Sequence, residues 1–116
     1  MAFVRTNFSY EDDYIKLTRG DTLAFGFIVD GVDELESAFF TCKKNYDDED
    51  TILFKKSLGH GIEKTDEGYT VRVAPEETEN AELGKYFFDI QLGVNGDIYT
   101  VRKGILELTF EVTKNE

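Results

Sequence analysis

Residues 86–103 read YFFDIQLGVNGDIYTVRK, and the pair Asn95-Gly96 at their centre decides how the chain is read. A two-residue type I′ turn demands positive φ at both central positions, and Asn and Gly tolerate it best. With this pair at a hairpin tip the register follows. Leu92 faces Tyr99 and Ile90 faces Val101 on an apolar face. On the other face Gln91 meets Thr100 and Asp89 meets Arg102, an opposite-charge pair. A slip by one residue would carry charge into the apolar face, so both faces specify the same pairing. The stretch is therefore expected to be two antiparallel strands joined by a tight turn.

The same period of two runs outward in both directions. In TLAFGFIV (22–29) Leu23, Phe25, Phe27 and Val29 share one face. In AFFTCKK (38–44) Ala38, Phe40 and Cys42 do so, and in GYTVRVA (68–74) Tyr69, Val71 and Val73. In LELTFEV (106–112) Leu106, Leu108, Phe110 and Val112 alternate with Glu107, Thr109 and Glu111. Such alternation buries one face per strand, as packed antiparallel sheets require. Turn residues recur between the strands at Gly20-Asp21, Asp30-Gly31, residues 47–50, Gly59-His60-Gly61 and Glu67-Gly68. Short strands with frequent turns predict an all-β, two-layer antiparallel β-sandwich. Gly104 sits where the apolar parity shifts between Val101 and Leu106, so a bulge or a change of sheet is expected there. PEETENAELGKY (75–86) opens on Pro75, the only proline, and reaches Gly84. Proline at a first helical position and a glycine beyond the end suit one short helical turn near residues 75–82, placed as a crossing between two strands.

At 116 residues the chain reads as one domain, 1–116, with residues 1–13 as an N-terminal extension or an added strand. The net charge of −11 disfavours nucleic acid and anionic membranes as partners. Cys42 is the only cysteine, so the fold needs no internal disulfide and suits a reducing compartment. The opening MAFVRTNFSYEDD lacks the apolar run of a signal peptide, and no stretch is long enough to span a bilayer.

Residues that could carry chemistry are few. Arg19-Gly20-Asp21 has the form of a cell-adhesion signal, but it lies between two strand-like segments. Gly20 and Asp21 are turn formers, and a tight connection, with Asp21 bonding nearby backbone N–H groups, explains the triplet without a partner. NYDDEDT (45–51) has oxygen ligands for a cation but no calcium-loop spacing, and reads as a solvated loop. His60 stands alone among glycines, and Cys42 belongs to a buried face, so neither marks a metal or nucleophile site. No nucleophile elbow, phosphate loop or dinucleotide fingerprint is present, and neither an enzyme nor a cofactor is expected. Phe39 falls on the polar face of its strand, with Tyr46 and Phe87 equally unplaced. Such aromatics serve a covering layer, a sugar or a protein partner.

Read in order, IKLTRGDTLAFGFIVDG (15–31), the strand around Cys42-Lys43-Lys44, Pro75-Glu76-x-Thr78, Gly84-Lys85-Tyr86 and the closing Gly104-x-Leu106-x-Leu108 resemble the amino-terminal immunoglobulin-like domain of phage baseplate upper proteins. Relatives occur in tailed phages and prophages of Gram-positive bacteria. The resemblance runs from about Ile15 to Thr113. It implies a virion structural domain that docks receptor-binding or fibre components to other tail or baseplate proteins, without catalysis, folded in the host bacterial cytoplasm and working in the virion. It further implies structural turns at Arg19-Gly20-Asp21, Pro75 with Thr78, and Gly84. Family proteins usually continue into a long helical or fibre segment. Here the last expected strand lies close to Glu116, so the chain reads as a short stand-alone tail protein or as a fragment. The Cys–Trp–Cys core of antibody domains is missing, which makes the likeness architectural. The alternative expectation is a carbohydrate-binding or adhesion β-sandwich.

Overall fold

A computed structural model describes residues 3–6, 14–31 and 34–113. Among the described residues nine strands follow in chain order: β1 (Phe3–Thr6), β2 (Tyr14–Thr18), β3 (Leu23–Asp30), β4 (Ser37–Lys43), β5 (Ile52–Leu58), β6 (Gly61–Lys64), β7 (Tyr69–Val73), β8 (Gly84–Val94) and β9 (Asp97–Thr109). Hydrogen bonding runs in the order β1-β3-β7-β6-β5-β4-β8-β9-β2. The ribbon folds over where β5 and β6 meet, since these two share only a brief parallel pairing, Ser57 with Gly61 and Leu58 with Ile62. One layer is thus β1-β3-β7-β6 and the other β5-β4-β8-β9-β2. Strand β2 joins β9 in parallel, Tyr14 opposite Ile105 through Thr18 opposite Thr109. The sandwich is therefore antiparallel except at these two pairings.

The core is what the alternation dictates. Phe25, Phe27 and Val29 from β3 and Tyr69, Val71 and Val73 from β7 are buried against Ala38, Phe40 and Cys42 from β4 and Tyr86, Phe88, Ile90 and Leu92 from β8. Phe40 is the hub. Its ring meets Phe25 of the facing layer at 5.5 Å, Phe54 of β5 at 5.1 Å and Phe88 of β8 at 5.8 Å, all edge to face. That geometry sets the positive ring edge against a negative face. Two residues before Phe88, the Tyr86 hydroxyl donates to the Glu82 carbonyl at 2.7 Å, fixing the start of β8.

The short helical turn is a 3-10 turn at Pro75–Glu77, and the segment around it crosses from β7 in one layer to β8 in the other. Asn95 and Gly96 both have positive φ, 53° and 84°, at the β8–β9 tip. Near the tip the register is Leu92 with Tyr99 and Gln91 with Thr100. Beyond that the expected pairing fails. Ile90 pairs with Arg102 and Asp89 with Lys103, because Val101 is an extra residue bulged out of β9. The parity shift is absorbed there and not at Gly104, and β9 stays in one sheet to Thr109. Tyr99 does not join the core: it is 42% exposed on a strand whose far side is unpaired at that level among the described residues. Phe110 and Val112 also leave the expected buried face, at 68% and 86% exposure, because β9 ends before them.

Candidate functional site

The outer face of β5-β4-β8-β9 carries the candidate site. Strand pairing sets its side chains in three rows. Ser57, Phe39, Gln91 and Thr100 form the first. Lys55, Thr41, Asp89 and Lys103 form the second. Ile52, Lys43, Phe87 and Ile105 form the third. Tyr46, on the loop after β4, leans its ring on Phe87 at 5.4 Å and 80°. All of these except Ser57, Thr100 and Ile52 line a shallow groove of about 770 Å³.

Aromatic and charged groups alternate across this surface. The Lys55 ammonium lies 5.1 Å from the Phe39 ring centroid, a cation–π contact. Lys43 pairs with Glu49 at the groove's edge. Asp89 sits half-buried at the centre. Burial pushes its carboxyl above the ordinary carboxylate range, while Lys43, Lys55 and Lys103 pull it back down. No donor among the described residues reaches hydrogen-bonding distance of that carboxylate. Three lysines against two carboxylates leave the groove nearly neutral on a chain of net charge −11.

Of the aromatics singled out from sequence, Phe39 is half-buried in the first row, while Phe87 is 41% and Tyr46 71% exposed beside the third. No covering layer of described residues hides them. Thr41, Asp89, Gln91 and Lys103 were not singled out from sequence. Thr41, Asp89 and Gln91 are the outward members of recognisable alternations, so their face was readable, but Lys103 takes the place expected for Arg102 only because Val101 is bulged out of β9.

The Arg19-Gly20-Asp21 turn does not line the groove; its Arg19 N–H donates to the Thr109 carbonyl at the end of β9 at 2.9 Å. Gly20 has φ +83°, and the Asp21 N–H, not its carboxylate, closes the turn by donating to the Thr18 carbonyl at 3.0 Å. Arg19 reaches across to Glu111, donating from Nε at 3.1 Å and Nη2 at 2.9 Å, and from Nη1 to the Ala81 carbonyl at 3.0 Å. The Gly20 N–H donates to the fully buried Thr78 hydroxyl at 2.9 Å. The triplet is a strut joining β2, the crossing segment and the end of β9. Gly84, φ +131°, opens β8 at the end of that crossing.

The remaining candidates fall outside the groove. Within residues 45–51 the Asp48 carboxylate accepts from the Asp50 N–H at 2.9 Å and caps a 3-10 turn, Glu49–Thr51. No group of three or more His, Cys, Asp or Glu able to hold a metal occurs among the described residues. His60 is exposed in the β5–β6 turn. Cys42 is wholly buried, and burial pushes its thiol up to about 12. No described helix is long and apolar enough to cross a membrane.

No family model and no curated protein sequence matches the chain. Among solved structures it is similar to the swine CD8aa homodimer, with a TM-score of 0.54 at 15% identity over 92% of this chain and 98% of that one. It also aligns with domain 1 of VCBP3 from Branchiostoma floridae, with a TM-score of 0.40 at 9% identity over 94% of this chain and 97% of that one. The fold is an immunoglobulin-like β-sandwich.

Proposed function

We propose that the chain is a non-catalytic docking domain that joins proteins of a phage tail or baseplate through the outer face of β5-β4-β8-β9. The observation that carries the reading is the aromatic set Phe39, Tyr46 and Phe87 standing among lysines and Asp89 on a face that a sheet normally leaves polar. Aromatic anchors ringed by polar groups are the usual energetic centre of protein interfaces. The phage setting is supported by the resemblance in segment order, with host cytoplasm as the place of folding and the virion as the place of action. An adhesion role for Arg19-Gly20-Asp21 is disfavoured by the commitment of the Arg19 guanidinium to Glu111 and Ala81.

Co-expression with the products of neighbouring reading frames tests this. A tail or baseplate protein is expected to co-purify with the wild type and to be lost with Phe39→Ser or Phe87→Ser. Neighbours unrelated to tails, or binding indifferent to both substitutions, would overturn it. A second reading, saccharide binding, is favoured by the exposed Tyr46 ring beside the hydrogen-bonding groups of Thr41, Asp89 and Gln91. Saturable chemical shifts at Tyr46 and Gln91 during glycan titration would select it.

A further inference from the structure

We infer that Asn95 is a site of spontaneous covalent modification, half of an imide-forming Asn-Gly pair at the β8–β9 tip that the Glu36 carboxylate holds unreactive, and whose conversion releases the start of β4.

The pair has the right chemistry. Asn95 and Gly96 are both exposed. Gly96 has no side chain to shield its backbone nitrogen, and a Cβ there would meet nothing within 4 Å. Once that nitrogen gives up its proton to solvent base, it can attack Cγ of the Asn95 side chain. The new N–Cγ bond closes a five-membered imide. The Cγ–Nδ2 bond breaks, its electron pair leaves with the nitrogen, and a proton from solvent completes ammonia. Water then opens the imide. Breaking the Cγ–N bond restores the backbone and leaves aspartate. Breaking the backbone C–N bond leaves isoaspartate, with the chain running through Cγ. Either way an amide becomes a carboxylate, and the chain gains a negative charge.

Conformation decides the rate. Ring closure needs the Gly96 nitrogen to eclipse Cβ about the Cα–C bond of Asn95. The φ values of 53° and 84° are those of a type I′ turn. Such a turn, the mirror image of type I, sets ψ of its first central residue to about +30°. In an L-residue that places the nitrogen nearly opposite Cβ. The ring cannot close until the peptide between Asn95 and Gly96 turns over.

That peptide is clamped. The Gly96 N–H donates to Glu36 Oε1 at 3.0 Å. The attacking nitrogen is itself the donor, so the peptide cannot rotate without breaking this bond. Glu36 holds it from an anchored position. Its own N–H donates to the Gly93 carbonyl at 2.8 Å, and the N–H of buried Leu35 donates to the Tyr69 hydroxyl of the facing layer at 2.9 Å.

Conversion undoes the clamp. A carboxylate at position 95 adjoins the peptide that Glu36 grips, and Asp97 follows, so like charges crowd the tip. Isoaspartate also adds a methylene to the two-residue loop, whose length fixes turn type and register. Either product frees Glu36 and loosens the entry to β4 at Ser37.

The test incubates the whole chain in mildly alkaline buffer and then digests it with trypsin, which cuts after Lys85 and Arg102. Retention and fragmentation of the 86–102 peptide separate asparagine, aspartate and isoaspartate at position 95. The native chain is expected to convert about tenfold or more slowly than the excised peptide, because the tip must first open. Glu36→Ala should speed conversion of the whole chain about fivefold, the weight of one exposed hydrogen bond, and should raise hydrogen exchange at the Gly96 N–H. Exchange at the Phe40 and Phe88 amides, followed alongside, shows that the core of the variant stays closed. Glu36→Gln keeps an acceptor and should convert near the wild-type rate. A native chain as fast as the excised peptide, or Glu36→Ala no faster than wild type, overturns the inference. So does a slowing by both substitutions, which would make Glu36 the base that drives the reaction.

Discussion

The Phe40 ring of β4 stands edge-on to Phe88 of β8, with centroids 5.8 Å apart and planes at 90°. On its far side Phe40 meets Phe25 of the opposite layer at 5.5 Å. Antibody domains fill the corresponding place with a Trp packed on an inter-sheet disulfide, and Phe88 stands two residues after a tyrosine whose hydroxyl bonds back to the chain, as the second cysteine does there. Three phenylalanines thus hold the layers together by packing alone, which suits a chain with a single cysteine. Phe40→Ala is expected to cost about 3–5 kcal/mol, the range for emptying a buried aromatic site. Phe39→Ala, one residue away but on the outer face, should cost far less. Urea denaturation of the two variants checks the contrast.

Arg19 and Asp21 should behave differently despite sharing one triplet. Arg19→Ala removes a forked contact to Glu111 and a donor to the Ala81 carbonyl, and loosens the end of β9. A clear drop in melting temperature is expected, and Arg19→Lys should recover only part of it, because an ammonium cannot reproduce the fork. Asp21→Ala keeps the turn's N–H and should leave melting nearly unchanged. Thermal melts followed by circular dichroism decide this.

Two glycines are constrained for opposite reasons. Gly96 has φ +84° with open space around it, so Gly96→Ala strains the backbone without a clash and should cost about 1 kcal/mol. A Cβ at Gly68 would lie 2.4 Å from the Phe27 carbonyl oxygen, which is fixed backbone. Gly68→Ala must push β3 and the β6–β7 turn apart and should be the worse of the two. Paired denaturation curves give the order.

Asp89 links pH to stability with a sign unusual for a carboxylate. Its folded carboxyl titrates above the ordinary value of 3.8, chiefly because of burial. The folded state therefore holds the proton more tightly than the unfolded one, and this group lowers stability as pH rises through the window just above 3.8. In dilute solution Asp89→Asn is expected to be slightly more stable than wild type at pH 7, by about 0.5 kcal/mol or less. That advantage should vanish below the unfolded carboxyl's range. Urea titrations at about pH 2.5 and about pH 7 provide the comparison.

Cys42 should react only through unfolding. Its thiol is wholly buried and pushed up to about 12, so little thiolate exists at pH 8. Labelling by a thiol reagent is expected to be negligible in native buffer and complete in denaturant. Fast native labelling would mean that β4 opens locally.

Much of the architecture was legible in the residues because burial in a sheet has a period of two. Phe25, Phe27, Tyr69, Val71, Phe40 and Cys42 all sit on the expected inner face, and Pro75 marks the short crossing turn. The hairpin tip was legible because Asn95 and Gly96 alone supply two positive φ values in succession. The bulge at Val101 was not, since the parity shift between Val101 and Leu106 can be absorbed anywhere between them. Phe110 was misplaced because alternation continues past the point where pairing stops. Phe39, Tyr46 and Phe87 stood out as unplaced, but nothing local said that they would share a face with Asp89 and Lys103.

By itself, then, the order of residues determined which side of β3, β4, β7 and β8 faces inward, because transfer of an apolar side chain out of water depends only on that side chain and its neighbours at every second position. Only the tertiary structure decided which strands lie side by side, where β9 bulges, and that Lys55, Asp89 and Lys103 form one row. Those outcomes depend on hydrogen-bond partners far away in sequence, and alternation is blind to partners.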